Sequence, residues 1–201
     1  MCLSESAPVK VRMTPDAAIA TLFDSQGFTP VMAGLLRHII SAPQQTIREV
    51  AMELVHEMTY HAMLRPPLAI GAGPTGTRMV FDVIGGALEG PRLRGKFVGA
   101  GADWLLVGSD GFGRLDVRAQ IETDDGALVY VQYQGLIQMN EKVQAAMGSA
   151  SGTEFSDQYF KIAPRFETGD PRYAWLNQSM FVAEGRLYPG FGVEYKVFRV
   201  A

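Results

Sequence analysis

Two periodicities divide the chain. In residues 44–64 the apolar side chains Ile47, Val50, Ala51, Leu54, Val55 and Met58 fall on one face of a helix, with Arg48, Glu49, Glu53 and Glu57 mostly on the other. Two shorter helices are predicted before it. Thr14-Pro15-Asp16 offers a hydroxyl N-cap, a proline at the first helical position and an acid in the first turn. A helix over 17–23 follows, with a stop near Gly27. Thr29-Pro30 repeats the start signal for a helix to about residue 40, which Ala42-Pro43 ends. The three apolar stripes must bury on one another, on the following domain or on a second subunit.

Beyond Pro66-Pro67 the period changes to two. Arg114 to Glu122 puts Leu115, Val117, Ala119 and Ile121 on one face and Asp116, Arg118, Gln120 and Glu122 on the other. Asp124-Asp125-Gly126 is a hairpin signal, and 127–137 is rich in Val and Tyr. Further strands are predicted at 68–72, 79–88, 93–98, 104–107, 159–166, 175–183 and 193–200. Glycine reinforces the division: of 22 glycines only Gly27 and Gly34 precede residue 71. Short strands joined by hairpin-sized turns predict a mainly β protein. It is an antiparallel meander closed into a barrel, with a two-sheet sandwich as second choice. A parallel sheet fails because no helices lie between the strands. The longer connection 140–157 carries a helical stretch at 141–147 and then Gly148-Ser149-Ala150-Ser151-Gly152, which reads as a mobile loop. The expected domains are therefore 1–64, a helical extension packing on the barrel or a partner subunit, and 65–201, the barrel.

With 201 residues, 47% hydrophobic and 19% charged, the chain suffices for one packed domain with an appendage. A net charge of −3 argues against a nucleic-acid partner. Cys2 is the only cysteine, so an internal disulfide and a cysteine-rich zinc site are excluded. The N-terminus lacks the basic-then-apolar pattern of a signal peptide, and no apolar run reaches the ~18 residues needed to span a bilayer. A cytoplasmic protein with no membrane partner is expected.

Several motifs suggest chemistry and do not sustain it. Gly71-Ala72-Gly73-Pro74-Thr75-Gly76 matches a dinucleotide fingerprint, but a strand follows where a helix is required, so it reads as a turn. His56 and His61 are five residues apart, about 140° around a helix, whereas a helical metal pair needs a spacing of four. No cofactor and no metal are expected. What remains is a constellation in the β-domain. Asp103-Trp104 follows an expected turn at Gly99-Ala100-Gly101, which sets a carboxylate beside a large ring at a strand start. Asp116, Arg118 and Glu122 line one strand face, and Trp175, Asn177, Ser179 and Phe181 another. The charged face is either a solvated outer wall or the lining of a pocket, and a one-residue change of register exchanges the two.

The residues of this region resemble a known family. Gly90-Pro91-Arg92-Leu93-Arg94-Gly95, Gly101-Ala102-Asp103-Trp104, Leu115-Asp116-Val117-Arg118 and Thr123-Asp124-Asp125-Gly126-Ala127 with Val129-Tyr130-Val131 carry the first half. Arg165-Phe166-Glu167-Thr168, Tyr173-Ala174-Trp175-Leu176-Asn177 and Phe181-Val182 carry the second. Together they look like the bacterial and fungal family catalogued as domain of unknown function 3237, over about residues 65–201. The resemblance implies a lipocalin-like antiparallel β-barrel and says little of activity; the N-terminal helices depart from its pattern.

These readings lead to an expected enzyme without a cofactor, acting on an apolar, aromatic or polyketide-like carbonyl compound inside the barrel. Its chemistry would be isomerisation, cyclisation, or addition or elimination of water. Asp103 is the candidate acid/base, desolvated by Trp104, with Glu122 as second carboxylate. Arg118 and Asn177 would hold the developing oxyanion, and Trp104, Trp175, Tyr130 and Tyr133 would pack on the substrate. Two other readings stand beside it: a carrier of small hydrophobic molecules, and an interaction module whose N-terminal helices make a homo-oligomer.

Overall fold

The computed structural model of the chain describes residues 52–201. The expected helices at 17–23 and 29–40, and the first part of the third, lie outside the described residues. Nine strands follow: β1 (Leu54–Leu64), β2 (Leu68–Gly73), β3 (Gly76–Glu89), β4 (Arg94–Val107), β5 (Phe112–Thr123), β6 (Leu128–Gln138), β7 (Phe160–Glu167), β8 (Phe181–Tyr188) and β9 (Gly192–Val200). The hydrogen-bonded order is β1-β9-β8-β7-β6-β5-β4-β3-β2, and β1 also pairs with β3. Eight strands thus close into an antiparallel barrel, and β2 pairs with the first part of β3 on the edge that β1 takes further along. Closure removes the open edges that a sheet of this length would otherwise expose.

The alternation read in 114–122 is borne out strand by strand. Leu115, Val117, Ala119 and Ile121 of β5 are buried, as are Val129, Val131, Tyr133 and Ile137 of β6. From β7 come Phe160, Ile162 and Phe166, and from β9 Val193, Tyr195 and Val197. Period two in the sequence becomes an inward and an outward wall because successive side chains leave a strand on opposite faces.

Three expectations are corrected. The helix over 44–64 is a strand in its second half. Met58, Tyr60 and Ala62 alternate inward there, and β1 completes the ring between β9 and β3. A bulge between His56 and Met58 turns Glu57 and Met58 inward in succession. The expected turn at 99–101 is a bulge inside β4: four steps from Val98 to Ala102 face two from Gln120 to Arg118. Gly99 supplies the left-handed backbone (φ +69°) that such an irregularity needs. The expected strand at 175–183 begins only at Phe181. Before it, Pro171–Tyr173 forms a 3-10 turn and Ala174–Asn177 a one-turn helix, α2.

The long β6–β7 connection carries α1 (Glu141–Ser149), capped by Asn140, whose Oδ1 accepts the Val143 N–H at 3.0 Å. α1 buries Val143 and Ala146 over the upper end of the barrel, beside the β8–β9 hairpin. The lower end is closed by α2 and by the connections 90–93 and 124–127, which bury Leu93, Ala127, Tyr173 and Leu176. No helix among the described residues is long and apolar enough to cross a membrane.

Candidate functional site

Under α1 lies a cavity of about 60 Å³. A water needs ~10–15 Å³ measured this way, so the space suits a few waters or a small organic group. The barrel contributes Phe81, Leu105, Leu115, Ile137 and Phe160 to its wall, and α1 contributes Ala146 and Met147. Among the described residues Asp103 is the only carboxylate in the lining, and no Lys, Arg or His joins it.

Asp103 reaches this position because β4 re-enters the barrel phase after its bulge. Asp103 pairs with Phe81 on one side and Val117 on the other, both inward. Its side chain is 9% exposed. Oδ1 accepts the Asp116 N–H at 3.2 Å, the one hydrogen bond its carboxyl makes among the described residues. Burial pushes its pKa from 3.8 up to about 7; the Asp116 N–H works against the rise, the Asp116 carboxylate adds to it, and Arg78 opposes it. Such a group changes charge near neutrality, as an acid/base group must.

The cavity's roof is held by backbone contacts. Gly190 N–H donates to Ala150 O at 2.8 Å, tying the end of α1 to the β8–β9 hairpin, and Leu64 N–H donates to Phe191 O at 2.7 Å. Among the described residues Ala150 and Phe191 are the two non-glycine residues with left-handed backbone (φ 54° and 61°), and both line the cavity. Backbone outliers of this kind concentrate at ligand sites. The segment read as a mobile loop is thus stitched down: Ser151 N–H donates to Ala146 O, and Thr153 exchanges two hydrogen bonds with Leu187.

Of the eight residues expected at the site, the structure turns two into the barrel, Asp103 and Tyr133. Arg118 and Glu122 stand on its outer wall. Arg118 pairs with Asp116 at 3.1 Å, and Glu122 pairs with Lys96 at 3.1 Å. Trp104 also points outward, 39% exposed, with the Arg118 guanidinium 5.7 Å from its ring. Adjacent strand residues face opposite ways, so Trp104 does not desolvate Asp103; Phe81, Leu105 and Leu115 line the cavity with it instead. Tyr130 lies on the outer wall, where its hydroxyl donates to Gln132. Trp175 and Asn177 belong to α2 at the far end. Trp175 stacks on Arg92 (3.6 Å), and Asn177 clamps Thr168 through its N–H and C=O at 2.9 and 2.8 Å. His56 and His61 are on β1: His56 meets Thr59 at 3.0 Å, and His61 stacks on Tyr188 with ring centroids 5.0 Å apart.

The pocket reading of the charged β5 face is therefore replaced by the outer-wall reading. A closed barrel must place one face of β5 inside, and burying Leu115, Val117 and Ile121 is favourable where burying Arg118 and Glu122 is costly. Sequence reasoning missed the aromatic interior: Tyr60, Tyr133 and Tyr195 meet there, with ring centroids 5.2 Å (Tyr60–Tyr195) and 5.6 Å (Tyr133–Tyr195) apart. The alternation Val193-x-Tyr195-x-Val197 carried the signal for Tyr195. Tyr60 was hidden by the helix assignment.

Fold and site together define an antiparallel β-barrel that caps an apolar cavity holding one buried carboxyl group. The chain belongs to the family described as protein of unknown function DUF3237, whose model matches residues 52–200. It is 30% identical over 131 residues to a UPF0311 protein of Rhodopseudomonas palustris, covering 65% of this chain and 86% of the relative. A β-barrel-like protein from Acinetobacter baumannii, of known structure, superposes with a TM-score of 0.64 at 31% identity, over 75% of this chain and 97% of that one. An enzyme from Penicillium herquei shares the fold at 20% identity, with a TM-score of 0.56 over 77% of this chain and 98% of that one.

Proposed function

We propose that the barrel binds a small, uncharged and largely apolar molecule under α1, and that Asp103 takes a proton from it and returns one. The observation that carries this reading is a nine-tenths-buried carboxyl group, poised near neutrality, which among the described residues is the only carboxylate in the lining of an apolar cavity. A ligand with a carbonyl would sit with its α-carbon toward the free carboxyl oxygen. The ionised form removes the α-proton, and the resulting Asp103 carboxylic acid delivers it to another position, which is an isomerisation. Cyclisation and addition or elimination of water use the same pair of steps. An ionised Asp103, with no cation beside it among the described lining residues, disfavours anionic ligands.

The test needs no knowledge of the natural substrate. Cyclopentanone in D₂O is a probe of suitable size, and NMR reads deuterium entering its α-positions. The full chain is expected to accelerate the exchange, and Asp103→Asn to abolish it while retaining the fold. Exchange that is equally fast with both proteins would overturn the role of Asp103.

A carrier without chemistry is the second reading, and one observation favours it. Arg118, Glu122 and Asn177, expected to complete the catalytic set, stand on the outer wall or at the opposite end. Under that reading cyclopentanone raises the melting temperature and is not deuterated.

A further inference from the structure

The interior holds three phenols to which the chemistry above gives no task. Tyr60 and Tyr195 are cross-strand partners, and Tyr133 packs edge-on to Tyr195. The hydroxyls of Tyr60 and Tyr195 are wholly enclosed and have no hydrogen-bond partner among the described residues. Buried hydroxyls are almost always partnered, and phenylalanine would fill the same volume without the polar atom. The fold also makes specific room for one of these rings. Gly185 lies opposite Tyr195, and a Cβ there would sit 2.6 Å from the ring's Cε1.

Tyr133 stands two strands from Asp103 in the barrel wall. Along one row of the barrel wall the inward residues run Asp103, Val117, Tyr133, so one side chain separates the carboxyl group from the nearest phenol in the row. Burial raises the pKa of Tyr133 and Tyr195 well above the ordinary value. The neighbouring phenol and the Asp103 carboxylate raise each further. Both therefore remain O–H donors at every pH at which Asp103 changes charge. The charged groups that bear on Asp103 are Asp116 and Arg78, and neither lies inside the cavity.

We propose that Tyr133 and Tyr195 are positioning residues for the ionised form of Asp103, whose free carboxylate oxygen takes the hydrogen bond of one of their hydroxyls, directly or through a water, with Tyr60 donating to that phenol in turn. The Tyr60 and Tyr195 hydroxyls have no partner among the described residues, and an ionised carboxylate is a stronger acceptor than the carboxylic acid. The inference rests on Asp103 being the working acid/base group and assigns what holds its charged state in a dry interior.

The test follows the Asp103 carboxyl carbon by NMR in the ¹³C-labelled full chain, from about pH 4 to about pH 10. Asp103→Asn identifies the resonance. Tyr133→Phe and Tyr195→Phe are each expected to raise the Asp103 midpoint. The double variant should raise it by about one pH unit, a roughly tenfold rise in proton affinity for one lost charge-assisted hydrogen bond. Thermal stability gives an independent readout. Below the midpoint the phenylalanine variants should match or exceed the wild type, and above it that advantage should shrink or reverse. Coincident midpoints, with a stability difference equal on both sides, would overturn the proposal and leave the phenols as packing. If Tyr195→Phe fails to fold, Tyr133→Phe and Tyr60→Phe report the same shift. The result is read between variants, so it is separate from the deuteration assay: failure there with a shifted midpoint here removes the chemistry and keeps the hydrogen bonds.

Discussion

At the lower end of the barrel Glu57 is 4% exposed and meets two guanidinium groups, Arg92 at 2.7 Å and Arg199 at 2.8 Å. At the upper end Asp103 is 9% exposed and meets one backbone N–H. Both are buried carboxyl groups that follow an irregularity in their strand, yet they are driven in opposite directions. Burial pushes Glu57 up, but hydrogen bonds and charge from Arg199 and Arg92 outweigh it and hold its pKa below the usual carboxylate range. Asp103 has no such partner among the described residues and rises to about 7. A buried carboxylate with two cations is a rivet; one left to a backbone amide is a titrating group held ready. The same contrast marks the surroundings. The lower end is plugged by α2, with Trp175 stacked on one of the riveting arginines, and the upper end keeps a cavity.

The comparison breaks most readily at Asp103. The unfolded chain ionises this group at its ordinary 3.8 and the folded protein at about 7. Stability is therefore lost as pH rises from about 4 to about 7, and stays lost above, because over that window the folded state alone keeps the proton. Three units correspond to roughly 4 kcal/mol as an upper bound. Asp103→Asn is expected to be more stable than the wild type by up to that amount at about pH 9 and indistinguishable at about pH 4, in urea titrations. A difference independent of pH would mean that Asp103 is as well compensated as Glu57.

At the rivet the sign reverses. Replacing both Arg92 and Arg199 by Met leaves Glu57 buried and unpaired, and is expected to cost about 3 kcal/mol near neutral pH. Because the pKa of Glu57 is lowered in the folded protein, its contribution is present above the ordinary range and fades as pH falls through the folded value. The double variant should therefore approach the wild type in acid. Gly185→Ala tests the aromatic interior between the two ends. Its methyl meets the Tyr195 ring at 2.6 and 2.9 Å, and a rigid ring cannot yield that space, so a loss of about 2 kcal/mol is expected by calorimetry. The smallest effect belongs to Asn177→Ala, which removes two hydrogen bonds to the Thr168 backbone and should cost about 1 kcal/mol. Cyclopentanone exchange should be unchanged in that variant, since Asn177 is at the end opposite the cavity.

Alternation, turns and glycine were enough to determine a meander of antiparallel strands, the hairpins at 74–75 and 124–126, and the helix at 141. Each depends on residues near one another in sequence, where periodicity and turn chemistry act. Asp103 and Tyr133 were named from the sequence, but Asp103 on grounds the structure does not keep: the turn before it is a bulge and Trp104 faces outward. Three other matters were decided only by closure of the sheet. Whether Arg118 and Glu122 or Leu115 and Ile121 faced inward was a choice of register, and a ring of eight strands settled it by giving the interior to carbon. Whether 54–64 was a helix or a strand depended on a gap between β9 and β3 that no local pattern reveals. And the surroundings of the two carboxyl groups, Asp103 among apolar cavity walls and Glu57 between Arg92 and Arg199, draw on residues far apart in sequence, so the chemistry of each was fixed by neighbours that only the rolled barrel brings to it.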